Sequence, residues 1–528
     1  MDKETLSNYG WIVVCVMVLA VLLALASPFG TFVAGAIKST TAGLFNVNQA
    51  ALGSAGIDVN DMVFENCDHL ETEVRNVSDT YTGDTCCKAC GAVLQAGQTV
   101  RPKVPDGATY TAADGTVYGP GEEMPETVTD GDTYTDGEYM YKYNYYGTAG
   151  NKDYWYADTT QNGWGVIWIK YTGKPSTVLS TINGKPLTAM RGTFSYRTGL
   201  PADMSDYVIP NTVTSVQSMF SDCSNLTVAP TFPSSVTNMS STFYNCTKLI
   251  NAPEIPDNVT NLQSTFLNCS ALVKAPSKIP NSVTEMKYTF KSCTALTVLP
   301  DMSEATNVSS LYETFYACYS ITDLSNFVIP NGVKEMYYTF TYCKNLVKLP
   351  KLPSTVTNVQ CTFAYCTSLV TTGNFIIPDG VTNPGTTFGH CTALVDASGV
   401  VIPSTVTDLG GTFIGCTSLK KVPTINHCTK LNGMYSTFSG CTSLTDDALP
   451  VLPDSVVNLN CTFMNCTSLK DLSGYTIPRY ASNLRCAFQG CTGLTTAPAL
   501  STGTDMYGAF KNCTSLTGII TINFKPQW

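Results

Sequence analysis

A spacing of Phe, two residues, Cys, two residues and Leu (once Ile321) recurs along this chain. It starts at Phe220, Phe243, Phe266, Phe290, Phe315, Phe340, Phe363, Phe388, Phe413, Phe438, Phe463, Phe488 and Phe510, with successive phenylalanines 22 to 25 residues apart. No other feature constrains the fold as much, because a unit of this length cannot enclose its own apolar face and must bury it against copies of itself. The repeat is also wider than its core motif: Val236, Met239, Phe243, Cys246 and Leu249 return as Val259, Leu262, Phe266, Cys269 and Leu272. Stacking would turn each of these positions into a ladder of like residues. Prolines four residues beyond the Leu, as at Pro230, Pro253, Pro276, Pro300 and Pro350, mark where pairing stops or bends.

The first and last units are atypical, as the ends of a stacked array must be. Leu187, Met190, Phe194 and Leu200 keep the spacing, but Arg197 stands in the Cys position. Gly503 replaces the usual Val near the other end, and residues 518–524 read as a closing strand. The fold predicted is mainly β with short turns or helices: a solenoid of about 13 to 14 repeats over residues 187–528, preceded by an N-terminal α-helix and small β-rich modules. A strand spacing of roughly 4.8 Å makes the stack about 60 Å long, with one broad concave sheet.

These units resemble the BspA-type leucine-rich repeats of bacterial surface proteins, in which V-x-x-[MI]-x-x-[TA]-F-x-x-C-x-x-L recurs at a similar period. The resemblance covers residues 187–524. One departure is that Thr-Phe preceded by Met-x-x replaces the more familiar Ile-Gly-x-x-Ala-Phe; another is that proline sits within the Leu segment. Paired edges should therefore be shorter than in other members. The resemblance implies display outside a bacterial cell and a leucine-rich-repeat solenoid that binds rather than catalyses.

The chain has 22 cysteines, and the repeat accounts for most of them as small buried thiols filling one column. Parallel Cβ vectors in such a column do not suit the roughly 90° torsion of a disulfide. Cys361, Cys461 and Cys486 are additional, each five residues before a repeat cysteine. A bond between Cys461 and Cys486 on adjacent turns is the alternative for that pair.

Residues 1–54 read as a membrane-directed helix. No formal charge occurs between Glu4 and Lys38, and Trp11 to Ala26 is continuously apolar. With the segment through Val33, the stretch reaches the roughly 20 residues that span a bilayer. Three readings fit: a retained anchor, a signal peptide cleaved after Ala24-Leu25-Ala26, and a pilin-like stem that would support self-assembly. The pilin reading lacks its customary glutamate, since Cys15 stands there.

Residues 55–103 form a cysteine-rich module resembling a C-x-H…C-x-x-C-G unit found beside other domains of bacterial surface proteins. Cys67, His69, Cys87 and Cys90 supply the four ligands of a tetrahedral structural zinc. Disulfides among Cys67, Cys86, Cys87 and Cys90 are the alternative in an exported chain. Residues 104–186 form a β-rich spacer and cap. Its Gly- and Asp-rich start reads as hairpins with a solvated acidic loop around Asp130 to Asp136, and the aromatics of Tyr139 to Tyr171 read as core.

The 40 acidic and 30 basic side chains give a net charge of −10, which argues against a nucleic-acid partner. Only His69, His390 and His427 are present, and no phosphate loop, G-x-S-x-G or H-E-x-x-H occurs, so no catalytic site is expected. The expected partner is an extracellular protein or glycan, with the membrane engaged through the N-terminal helix. Ligand contacts are expected in the column two residues beyond each repeat Leu, at Lys274, Asp323, Lys348, Asp396, Lys421, Asp446 and Asp471. The two functions this implies are adhesion and, as the alternative, a structural subunit of a pilus-like filament or surface layer.

Overall fold

The computed structural model describes residues 72–75, 84–87, 93–95, 101–143, 164–169, 173–501, 504–517 and 522–523. These fall into two units, one of residues 1–104 with 121–126, the other of residues 105–120 with 127–528. In the first unit, β1 (Thr72–Arg75), β2 (Asp84–Cys87) and β3 (Val93–Gln95) form an antiparallel sheet in that order. The helix expected in residues 1–54 lies outside the described residues. Among those described, no helix is long and apolar enough to cross a membrane.

The second unit begins with a seven-stranded sheet. Its strands are β4 (Thr109–Thr111), β5 (Val117–Tyr118), β6 (Thr133–Thr135), β7 (Tyr139–Tyr143), β8 (Trp164–Trp168), β9 (Thr181–Ile182) and β10 (Lys185–Ala189). The order is β5-β4-β6-β7-β8-β10-β9, antiparallel except where β10 runs parallel to β8. Alternation along β7 sends Tyr139, Tyr141 and Tyr143 inward beside Tyr110, Tyr134 and Trp164, so these members of the aromatic run are core, while residues 144–163 and 170–171 of the run lie outside the described residues. The Trp164 indole donates to the Ile182 carbonyl at 3.1 Å and the Tyr139 hydroxyl to Ser176 at 2.6 Å. Asp132, read as part of a solvated loop, is fully buried; its carboxylate accepts from the Tyr110 hydroxyl, the Thr129 hydroxyl and the Thr129 and Ala113 amides. Four donors compensate the burial of a charge that would otherwise be costly.

Strand β10 belongs to both the sheet and the solenoid, since Ala189 continues it through a parallel bridge to Ser215. The Thr193 hydroxyl donates to the Val166 carbonyl of β8 at 2.9 Å, the bond that a later turn makes to the turn before it. The sheet therefore substitutes for a preceding repeat and covers the first one.

Within the solenoid, the broad sheet expected from the repeat reduces to single-residue parallel bridges in columns. One column runs through Ser215, Asn238, Asn261 and Glu285, and another includes Asn251, Lys274 and Val298. Between bridges the chain is a series of overlapping turns: Thr242 donates to Met239, Tyr244 to Ser241, Cys246 to Phe243 and Leu249 to Cys246. Alternate amides then reach the next repeat, with Met239, Ser241, Phe243 and Asn245 bonding to the carbonyls of Asn261, Gln263, Thr265 and Leu267. Helix in the described solenoid amounts to one 3-10 turn, Asp446–Ala448. At the far end β11 (Leu500–Ser501) pairs in parallel with β12 (Ile522–Asn523), within the segment read as a closing strand.

The phenylalanines from Phe194 to Phe510 stack in one column, with centroids 5.3–5.9 Å apart. That step exceeds the roughly 4.8 Å of paired strands, so the turns open slightly on the Phe side. The cysteine column is buried, and every repeat thiol has the same partner: Cys246 donates to the Phe220 carbonyl at 3.0 Å, Cys269 to Phe243 at 3.0 Å and Cys391 to Phe363 at 3.2 Å. Burial pushes these thiols up, Cys391 and Cys441 to about 12, so they remain protonated donors.

Candidate functional site

Two positions in each turn have left-handed backbone. The residue two before the Phe and the residue two after it have φ between +49° and +77°, from Gly192 and Tyr196 at Phe194 to Gly508 and Asn512 at Phe510. The overlapping turns require this, since each left-handed residue reverses the chain enough to aim its amide at the next repeat. In most turns the occupants are those the conformation favours, such as Ser218 and Asp222, Ser264 and Asn268, or Gly411 and Gly415.

The turns from Phe290 to Phe388 depart from this rule. Their left-handed sites hold Tyr288, Glu313, Ala317, Tyr338, Tyr342, Cys361, Tyr365, Thr386 and His390, with Ser292 the one ordinary occupant. Bulky or β-branched residues in this conformation cost of order 1–2 kcal/mol each. The same turns carry further tyrosines at ordinary positions, and together the rings form a half-buried ridge. Tyr342 stacks on Tyr365 at 4.4 Å, and Tyr365 on His390 at 4.5 Å. Tyr316 meets Tyr342 edge-on at 5.4 Å, while Tyr288, Tyr312 and Tyr337 follow one another at 5.3 and 5.6 Å.

Charge within the ridge is balanced. Lys291 pairs with Glu313 and lies over the rings of Tyr288 and Tyr316, at 5.4 and 4.7 Å from their centroids. Burial raises the Tyr316 and Tyr365 hydroxyls above their usual range, and the hydrogen bond that Tyr338 donates to Tyr337, together with burial, does the same at Tyr338. The ridge thus offers ring faces and neutral hydroxyls. Burial lowers the His390 imidazole. The ring stack ends where Gly415, at φ +70°, makes room: a Cβ there would stand 2.4 Å from His390 Nδ1.

The column of charges expected to contact a ligand is exposed except for the half-buried Asp396 and Asp446, and it is largely paired with itself. Lys348 reaches Asp323 at 2.7 Å and Lys421 reaches Asp396 at 3.1 Å, each across one turn. Asp323, Asp396 and Asp471 also accept the amides of Ser325, Ser398 and Ser473, fixing local turns. Asp446 accepts the amides of Lys470 and Asp471. These bonds hold the carboxyls of Asp323, Asp396 and Asp471 below the usual range, with the Lys348 side chain the leading cause for Asp323. Lys274 is exposed and bridges Asn251 through its backbone.

A BspA type leucine rich repeat region is matched in six copies, over residues 201–322, 312–445 and 436–525. The chain belongs to the BspA-type leucine-rich-repeat family. No curated protein matches it. Among solved structures, it is similar to a leucine rich cell surface protein from Faecalibacterium prausnitzii at 20% identity, covering 75% of this chain and 95% of that one with a TM-score of 0.39. A leucine-rich repeat protein from Bacteroides ovatus is 19% identical over 72% of this chain and 100% of its own, with a TM-score of 0.41. The pneumococcal vaccine antigen PcpA is 14% identical over 72% and 99%, with a TM-score of 0.35.

For this BspA-type chain, sequence reasoning located the repeat columns and missed the ridge. The signal was present in the enrichment of Gly, Asn and Ser at the two left-handed columns elsewhere, against which Tyr338, Tyr342 and Tyr365 stand out. Of the proposed zinc ligands, Cys67, His69 and Cys90 lie outside the described residues, and Cys87 ends β2. Among the described residues, no three His, Cys, Asp or Glu side chains gather as a metal site. His427 is exposed, with Nε2 at 2.8 Å from the Ile402 carbonyl.

Proposed function

We propose that this BspA-type protein is displayed on the bacterial surface, held by its N-terminal apolar segment, and binds an extracellular protein or glycan through the tyrosine ridge, so that it acts in adhesion. What carries the reading is the succession of left-handed sites occupied by Tyr338, Tyr342, Tyr365 and His390, where most sites in the other turns of the same solenoid hold Ser, Asn, Asp or Gly. Strain gathered over consecutive turns of a regular array points to use. Half-exposed tyrosines suit either ligand class, since they combine ring area with a hydroxyl and lose little side-chain entropy on binding. The charged column from Lys274 to Asp471 is the second contact face in this proposal; its ion pairs make it the weaker one.

The test is binding of the full chain to immobilised fibronectin, collagen and mucin, using wild type, a Tyr342→Asn/Tyr365→Asn variant and a Lys348→Glu/Lys421→Glu variant. The ridge variant should lose at least tenfold in affinity, and the charge variant should change less. Equal loss in both, or loss in the charge variant alone, would move the site to the charged column. Anchorage is tested by sequencing the mature N-terminus: an intact leader supports the anchor, Ser27 indicates cleavage and Trp11 pilin-type processing. The structural zinc proposed at Cys67, His69, Cys87 and Cys90 requires stoichiometric metal in the purified chain.

A further inference from the structure

The left-handed column two residues before each Phe also contains three cysteines that lie outside the buried ladder. Cys361, Cys461 and Cys486 have φ of +55°, +55° and +52° and are half-exposed. Their situations differ. The column neighbours of Cys361 are Tyr338 and Thr386, whose hydroxyls contact its thiol. Cys461 and Cys486 are neighbours of each other, one turn apart.

The backbone holds this pair in register. The Cys461 amide donates to the Arg485 carbonyl at 2.9 Å, and the Cys486 amide donates to Tyr507 at 3.0 Å. Equivalent residues of paired turns stand about 5 Å apart, inside the Cα window of a disulfide. The two side chains are in contact, and Ser436 completes the row above them. Below, Gly508 contributes no side chain; a Cβ built there would lie 3.2 Å from Cys486 Sγ.

The repeat thiols are blocked from pairing because each is buried and bonded to the Phe carbonyl of the preceding turn, as Cys466 is to Phe438 and Cys491 to Phe463, both at 3.1 Å. Cys461 and Cys486 have no such tether. The Cys461 thiol rests on the Asn460 side chain at 3.0 Å, and the Cys486 thiol, besides its contact with Cys461, makes a long contact of 3.8 Å to the Tyr507 carbonyl. Half-exposed, they can rotate about the Cα–Cβ bond and reach the torsion that the parallel buried thiols cannot.

We propose that Cys461 and Cys486 are an oxidative modification site, which a low-molecular-weight disulfide converts into a covalent staple between adjacent turns. One thiol loses its proton and attacks the reagent, forming a mixed disulfide and releasing one reagent thiol. The second thiol, deprotonated in turn, displaces the remaining reagent thiol and closes the Cys461–Cys486 bond. Two electrons pass from the cysteine pair to the reagent, and the two protons leave on the two thiols released. The product closes a loop through one repeat, which restricts the last turns when they unfold.

The experiment incubates the full native chain with oxidised glutathione at pH 8, followed by alkylation and peptide mapping. Peptides containing Cys461 and Cys486 should be recovered cross-linked, Cys361 should carry a single glutathione, and the buried repeat cysteines should be alkylated only after denaturation. In Cys461→Ser, a residue the column already accepts at Ser436, Cys486 should instead retain glutathione. Recovery of separate glutathione adducts at Cys461 and Cys486 in the wild type, or no reaction at either, would overturn the proposal.

Discussion

A repeat cysteine is a thiol chosen for one hydrogen bond. Its size suits the column, but alanine or valine would also fill a small apolar site; what they lack is the proton donated to the Phe carbonyl one turn earlier. Cys391→Val should therefore leave the Phe363 carbonyl without that donor and lower stability by about 1–3 kcal/mol. Equal urea midpoints for variant and wild type would show that the bond contributes nothing. Burial of this column was legible in the sequence because Cys246, Cys269 and Cys293 recur beside Phe and Leu. The reason for cysteine was not, because the acceptor belongs to a residue 25 to 29 positions away.

The element of this fold is a turn with two left-handed residues, and its behaviour follows from what fills them. Gly415 is required twice over, by φ +70° and by the His390 ring against which a Cβ would collide. Gly415→Ala should lower the melting temperature and displace His390 from Tyr365, visible as a shift of the imidazole resonances; an unchanged spectrum would contradict the packing. His390 also makes the ridge sensitive to acid. Burial disfavours its charged form, so the stability it contributes is present above the ordinary histidine value of about 6.5 and is lost as pH falls through the lower folded value. Urea midpoints should fall between pH 7 and pH 5, less so in His390→Gln; parallel pH profiles would rule His390 out as the source. These left-handed columns were hard to read from sequence because their occupants vary among Ser, Asn, Gly, Tyr, Glu and Cys. No apolar period marks them, and a tyrosine does not announce its φ.

At the scale of the whole molecule, inward columns hold the fold while outward positions are free to vary. The Phe ladder, the thiol bonds and the capping by β8 and β10 need only the repeat and a first strand pair, so the solenoid was legible from spacing alone. The charged column was legible as exposed, but its pairing was not: Asp323 with Lys348 and Asp396 with Lys421 depend on which residues fall one turn apart. The ridge is where this chain departs over five consecutive turns from the preferences of its own repeat. Binding should therefore fall in ridge variants without a loss of stability. Urea denaturation of the Tyr342→Asn/Tyr365→Asn variant tests this directly, because Asn already occupies the same column at Asn245, Asn268 and Asn465. The expected midpoint equals or exceeds that of the wild type. A loss of more than about 2 kcal/mol, the scale of a removed core side chain, would show instead that the tyrosines are part of the fold.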